Sequence, residues 1–65
     1  MKIEFEREDD GRWIAAVPDL PGVMVYGETR NEARQRVTVL AMRVLAGKIE
    51  AGEIPSPVSI AFSAA

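Results

Sequence analysis

The hydrophobic period of this chain changes sharply at Gly27 and returns to alternation only in a short stretch after Gly52. Before Gly27, short apolar or alternating runs are separated by turn residues. After it, one long run repeats at helical spacing. "MKIEFERE" alternates, with Ile3 and Phe5 on one side and Lys2, Glu4 and Glu6 on the other, which predicts a half-buried strand. "DDGR" supplies a short loop in which Gly11 can take a positive φ. "WIAAV", Trp13 to Val17, is apolar on both faces, as an interior strand would be. "VMVY", Val23 to Tyr26, predicts a third strand, with Val23 and Val25 on one face and Met24 and Tyr26 on the other.

Between the second and third runs stands "VPDLPG". Pro18 and Asp19 suit the centre of a type I turn. Pro21 and Gly22 suit a type II turn, because proline fixes φ and glycine takes a positive one. Two turns in tandem reverse the chain. Two readings of this stretch stand side by side. In one it is turn chemistry alone. In the other the loop also presents Leu20, between its two prolines, to a partner.

Downstream, Thr29 and Glu32 fit a capping box, in which hydroxyl and carboxylate each accept from the other's backbone N–H. Ala33, Val37, Leu40, Ala41, Val44 and Leu45 then form one apolar helical stripe. Gly47 is a point of fraying, and Gly52 ends the helix. "IPSP" reads as a stiff linker. "VSIAF" alternates again and predicts a short fourth strand over 58–62, placed beside the first and parallel to it by a right-handed crossover.

The expected fold is therefore α+β, in the order β-β-β-α-β. It has an antiparallel three-stranded sheet, a fourth strand and one helix packed on one face. One helix covers only one face, so apolar surface should remain on the other. Exposed apolar patches mark interfaces. We expect Trp13, Ile14, Met24 and Tyr26 to form the interface of a homo-oligomer, a dimer or a tetramer. The alternative is that a chain of 65 residues simply shows some hydrophobic surface.

Composition removes several classes of function. There is no histidine, the commonest general base and metal ligand, and no cysteine for a disulfide or thiolate site. The net charge is −2 and the basic residues are scattered, so direct nucleic-acid binding is not expected. Arg34 lies about 200° around an ideal helix from Arg36, so the helix arginines form a solvated face and not a single patch. No apolar run approaches the roughly 18 residues of a membrane span. We expect no signal peptide, no membrane association and a cytoplasmic location. The acidic run Glu6, Glu8, Asp9 and Asp10 reads as a solvated hairpin tip, with an electrostatic contact for a basic partner as the alternative.

The stretch "REDDGRWIAAVPDLPGVMVYGET" resembles the amino-terminal domain of HicB antitoxins. The matching elements are Asp10-Gly11, Trp13, Ala15, the loop from Val17 to Gly22, Gly27-Glu28-Thr29 and Glu32-Ala33. "GEIPSP" at 52–57 is similar to the family's link to its last strand. The likeness covers roughly residues 1 to 62. Val23 stands where relatives often carry cysteine, and Ala16 where many carry a polar or acidic residue. The resemblance implies a partial RNase H-like fold and an oligomer. It also implies a role in covering the active site of HicA, a small mRNA-cleaving toxin. Pro18, Asp19, Leu20, Pro21 and Gly22 are the candidate partner-binding residues. Many relatives continue into an operator-binding segment. Residues 1–65 are expected to be a single HicB-like domain with no separate DNA-binding domain, so the resemblance carries toxin binding and not DNA binding. The alternative is an orphan oligomeric structural or regulatory protein of the same fold without a toxin.

The RNase H-like expectation raises a rival reading, because two-metal nucleases need carboxylates that converge from strand one, the helix and strand four. Glu4, Glu6 and Glu32 are available, but no acidic residue follows Glu53. The hydroxyls of Thr29, Thr38, Ser56, Ser59 and Ser63 have no histidine to activate them. We therefore expect no enzyme, no catalytic residue, no metal and no cofactor.

Overall fold

The computed structural model describes residues 1–54 and 63–64. Three strands, β1 (Lys2–Arg7), β2 (Trp13–Ala16) and β3 (Met24–Gly27), are followed by the helix α1 (Arg30–Glu50). Successive strands pair antiparallel, with Phe5 opposite Ala15 and Ala15 opposite Val25. The expected antiparallel three-stranded sheet with one helix is thus present. The strand expected over 58–62 lies outside the described residues. Just past it, a two-residue segment, β4 (Ser63–Ala64), pairs parallel with Lys2 and Ile3 at the far side of β1.

Each connection follows from its residues. In the first hairpin Gly11 takes φ +90° and donates to the Glu8 carbonyl at 2.9 Å. The loop from Val17 to Val23 is the tandem turn that its sequence predicts. Leu20 N–H donates to Val17 C=O at 2.9 Å, and Val23 N–H to Leu20 C=O at 3.1 Å, with Gly22 at φ +84°.

The helix starts at the expected cap. The Glu32 N–H donates to the Thr29 hydroxyl at 3.0 Å. The return bond differs from a standard capping box. The Glu32 carboxylate accepts from the N–H of Glu28, one residue before the cap, at 3.2 Å. The helix runs through Gly47 without a break and ends in a Schellman motif. There Gly52, at φ +75°, donates to Ile49, and Glu53 donates to Lys48.

The core lies between α1 and one face of the sheet. Ala33, Val37, Ala41 and Leu45 of the helix are buried against Ile3, Ala15, Val17 and Val23. Leu40 and Val44, the other two positions of the expected stripe, are partly buried against the same cluster. Two expectations fail here. Leu20 is only 5% exposed and belongs to the core, so its side chain is not offered at the loop rim. The two turns fold the loop back on itself and drive its one large apolar side chain inward. Trp13 also faces the helix. It shares a side with Ala15 and Val17, is partly buried against the core, and has the Arg7 guanidinium 5.7 Å from its ring centroid. It does not lie on the sheet face that carries Ile14, Met24 and Tyr26.

Candidate functional site

Alternation along the strands places Glu4 and Glu6 of β1, Ile14 and Ala16 of β2, and Met24 and Tyr26 of β3 on the face away from α1. The registers set them in rows: Glu6, Ile14, Tyr26, and Glu4, Ala16, Met24. An acidic column therefore runs beside two apolar ones. Met24 is 55% exposed and Tyr26 43%. Of the residues expected at an oligomer interface, the structure brings Ile14, Met24 and Tyr26 together and leaves Trp13 on the opposite face.

The edges of this surface are held by charge. Arg12 lies over the Tyr26 ring, 4.6 Å from its centroid, and its Nε bonds the Asp10 carboxylate at 2.7 Å. The Arg12 backbone N–H donates to the same carboxylate at 3.0 Å. This backbone bond, followed by the guanidinium bond, holds the Asp10 carboxyl below its ordinary value of 3.8. Asp10 in turn raises the Arg12 guanidinium. Two members of the acidic run thus act as a brace on the hairpin: Asp10 through Arg12, and Glu8 through its main-chain bonds to Gly11 and Arg12. Among the described residues, Glu4 and Glu6 have no ion-pair or hydrogen-bond partner.

Beyond Ala16 and Met24 the same end of the sheet carries the loop. Pro18, Asp19, Pro21 and Gly22 are exposed there, while Leu20 points into the core. Four of the five candidate partner-binding residues therefore form a rim at the end of the β2–β3 hairpin.

The surface is shallow. A hollow of about 160 Å³ is lined by Glu4, Phe5, Glu6, Ile14, Ala16 and Met24. Small-molecule pockets run from about 300 Å³ upward and are enclosed by several elements. A larger hollow of about 410 Å³ lies along Asn31, Arg34, Gln35, Thr38 and Val39. All of its lining comes from one helix, so no second element converges on it. The geometry suits a protein surface better than a small ligand.

The carboxylates of the rival nuclease reading do not converge. Glu4 and Glu6 stand on the open face, and Glu32 is engaged at the start of α1 by Glu28 N–H and by Arg36, 3.1 Å away. Among the described residues no group of three or more side chains could hold a metal ion. Among them, too, no helix is long and apolar enough to cross a membrane.

Sequence reasoning missed four participants. The carboxylates of Glu4 and Glu6 were visible as outward positions, but not as neighbours of Ile14 and Ala16. Counting registers back from the hairpin would have put Arg12 near Tyr26. Arg36, which donates to the Tyr26 carbonyl at 3.0 Å, left no sequence signal, because the contact joins a helix to a strand edge. Compared with protein-family models, curated proteins and solved structures, the chain matches none of them.

Proposed function

We propose that this chain is a non-catalytic binding module of the HicB antitoxin type, with a partial RNase H-like arrangement of its strands and helix. Its function is to cover the active site of a small RNA-cleaving toxin. The observation that carries this reading is the open sheet face. Ile14, Ala16, Met24 and Tyr26 form an apolar surface flanked by the carboxylates of Glu4 and Glu6 and continued by an exposed proline-rich rim. A basic protein that binds RNA is the complementary partner for such a face.

The residues of the motif also have reasons to be what they are. Gly22 and the two prolines build the turns, Thr29 caps the helix, and Gly27, with no side chain, leaves room for the backbone of Ala33 in its first turn. The sequence carries no histidine or cysteine for chemistry of its own. The protein is a module that occludes, and its partner supplies the catalytic group.

Co-expression with a small, basic, histidine-containing reading frame encoded beside this one tests the reading. The expected result is rescue of growth and a stable complex, which Glu4→Lys or Asp19→Lys weakens at least about tenfold through rim and face charge. If no such neighbour binds, an orphan oligomer of the same fold replaces the antitoxin.

A further inference from the structure

The hairpin between β1 and β2 turns on an aspartyl–glycyl bond, Asp10-Gly11. Such a bond is open to attack by the glycine nitrogen on the side-chain carboxyl before it, because glycine has no Cβ to shield that nitrogen. The surroundings add no shield. A Cβ placed on Gly11 would meet nothing beyond its chain neighbours within 4 Å. Instead, hydrogen bonds hold both reacting groups. The Gly11 N–H donates to Glu8 C=O at 2.9 Å. One Asp10 carboxylate oxygen accepts from the Arg12 N–H at 3.0 Å, and the other from Arg12 Nε at 2.7 Å. The Arg12 guanidinium is itself seated on the Tyr26 ring.

From this geometry we infer that Asp10-Gly11 is a site of covalent isomerisation to isoaspartate, and that Arg12 sets its rate. The Gly11 nitrogen attacks Cγ of the protonated Asp10 carboxyl. The N–Cγ bond forms and the bond from Cγ to the hydroxyl breaks. That hydroxyl leaves as water with the proton of the nitrogen, and a succinimide ring closes. Water then adds at either ring carbonyl. Opening at N–Cγ returns aspartate. Opening between the nitrogen and the main-chain carbonyl carbon gives isoaspartate, with a free α-carboxylate and a main chain that runs through Cβ. The water lost is regained, so mass is unchanged and no other reactant is needed.

Arg12 opposes the first step. Its bonds favour the ionised carboxylate, which is the unreactive form, and hold the carboxyl below its ordinary value. They also hold both oxygens, so Cγ cannot turn toward the Gly11 nitrogen until they let go. The Arg12 and Asp10 side chains are 46% and 53% exposed, so the brace opens in solution. It slows the step without preventing it. The consequence falls on the open face. Loop length sets the register of a hairpin. A main chain rerouted through Cβ lengthens this loop and loosens the pairing of Arg7 with Trp13 and of Glu6 with Ile14. This inference concerns the hairpin and does not depend on a toxin partner.

Ageing the intact chain at neutral pH, folded and in urea, provides the test. Enzymatic methylation of isoaspartyl α-carboxylates reads the product, and mass spectrometry of its peptides locates it. Isoaspartate should build up at Asp10 and not at Asp9 or Asp19, whose following residues carry side chains. Arg12→Gln should accumulate it about two- to fivefold faster than the native chain, the range that an exposed ion pair supports. The chain in urea should be faster again. Asp10→Glu, whose longer side chain cannot close the same ring, should lose the signal. Circular dichroism checks that Arg12→Gln is folded. If it is not, Arg12→Lys, which keeps the charge but loses the planar fork, takes its place. A folded chain that gains no isoaspartate at Asp10, or gains it first at Asp9 or Asp19, overturns the site. Equal rates in the native chain and the folded Arg12 variant overturn the role of Arg12.

Discussion

A Cβ placed on Gly27 would lie 2.5 Å from the main-chain nitrogen of Ala33. The end of β3 thus runs directly beneath the first turn of α1. Two residues later Thr29 caps the helix, and from there Ala33, Val37 and Ala41 descend into the core. The close approach sets the height of the helix above the sheet.

Gly27→Ala must push backbone away from backbone. We expect a loss of about 1–3 kcal/mol, the range for overpacking a tight site. In a domain this small each kcal/mol lowers Tm by roughly 4–8 °C. Thermal unfolding followed by circular dichroism reads the effect. An unchanged Tm would mean that the helix does not approach β3 so closely.

Leu20 is part of the core, so Leu20→Ala should cost about 2–5 kcal/mol in a denaturant titration. Asp19→Ala, one residue away and exposed, should stay within about 0.5 kcal/mol. Equal effects would remove Leu20 from the core. A change at Leu20 that abolished partner binding would report unfolding, so the loop's contact role is tested at Asp19 instead.

Thr29→Ala removes the oxygen that accepts from Glu32 N–H, and about 1 kcal/mol of stability should go with it. Thr29→Ser keeps the acceptor and should recover most of the loss. Failure of serine to recover it would shift the role from the hydroxyl to the methyl group.

Asp10 should titrate below 3.8, because the Arg12 backbone N–H and guanidinium both favour its charged form. A carboxyl whose folded value is depressed stabilises the fold above its unfolded value. That contribution is lost as pH falls through the folded value. An NMR titration of the Asp10 carboxyl checks the midpoint. In Arg12→Gln, which removes the guanidinium, the midpoint should move back up. A midpoint at or above 3.8 in the native chain would remove the brace from the hairpin.

The turns, the helix and its cap were legible because each rests on residues a few positions apart. Pro18 and Asp19, Pro21 and Gly22, Thr29 and Glu32, and Gly52 all act within one turn of chain. The two faces of β3 were legible too, since Val25 alternates with Met24 and Tyr26. The second strand was harder. It is apolar at every position, so nothing in its own pattern says which side the helix covers, and Trp13 was grouped with Ile14 although neighbouring residues of a strand face opposite sides. Leu20 was misplaced for a related reason. Turn types fix the path of a backbone, but they leave open whether the side chain between the prolines points out or in.

By itself, then, the sequence determined the local elements, their order and the residues that start and stop them, because these follow from period and backbone preference. Only the tertiary structure decided which surface each element shows. The helix closed over the side of the sheet holding Ile3, Ala15 and Val17 and left Ile14, Met24 and Tyr26 uncovered. It also carried Arg36 to the edge of β3, ten residues away along the chain. Burying the most apolar surface with a single helix requires choosing one face, and that choice belongs to the packed molecule and not to any segment of it.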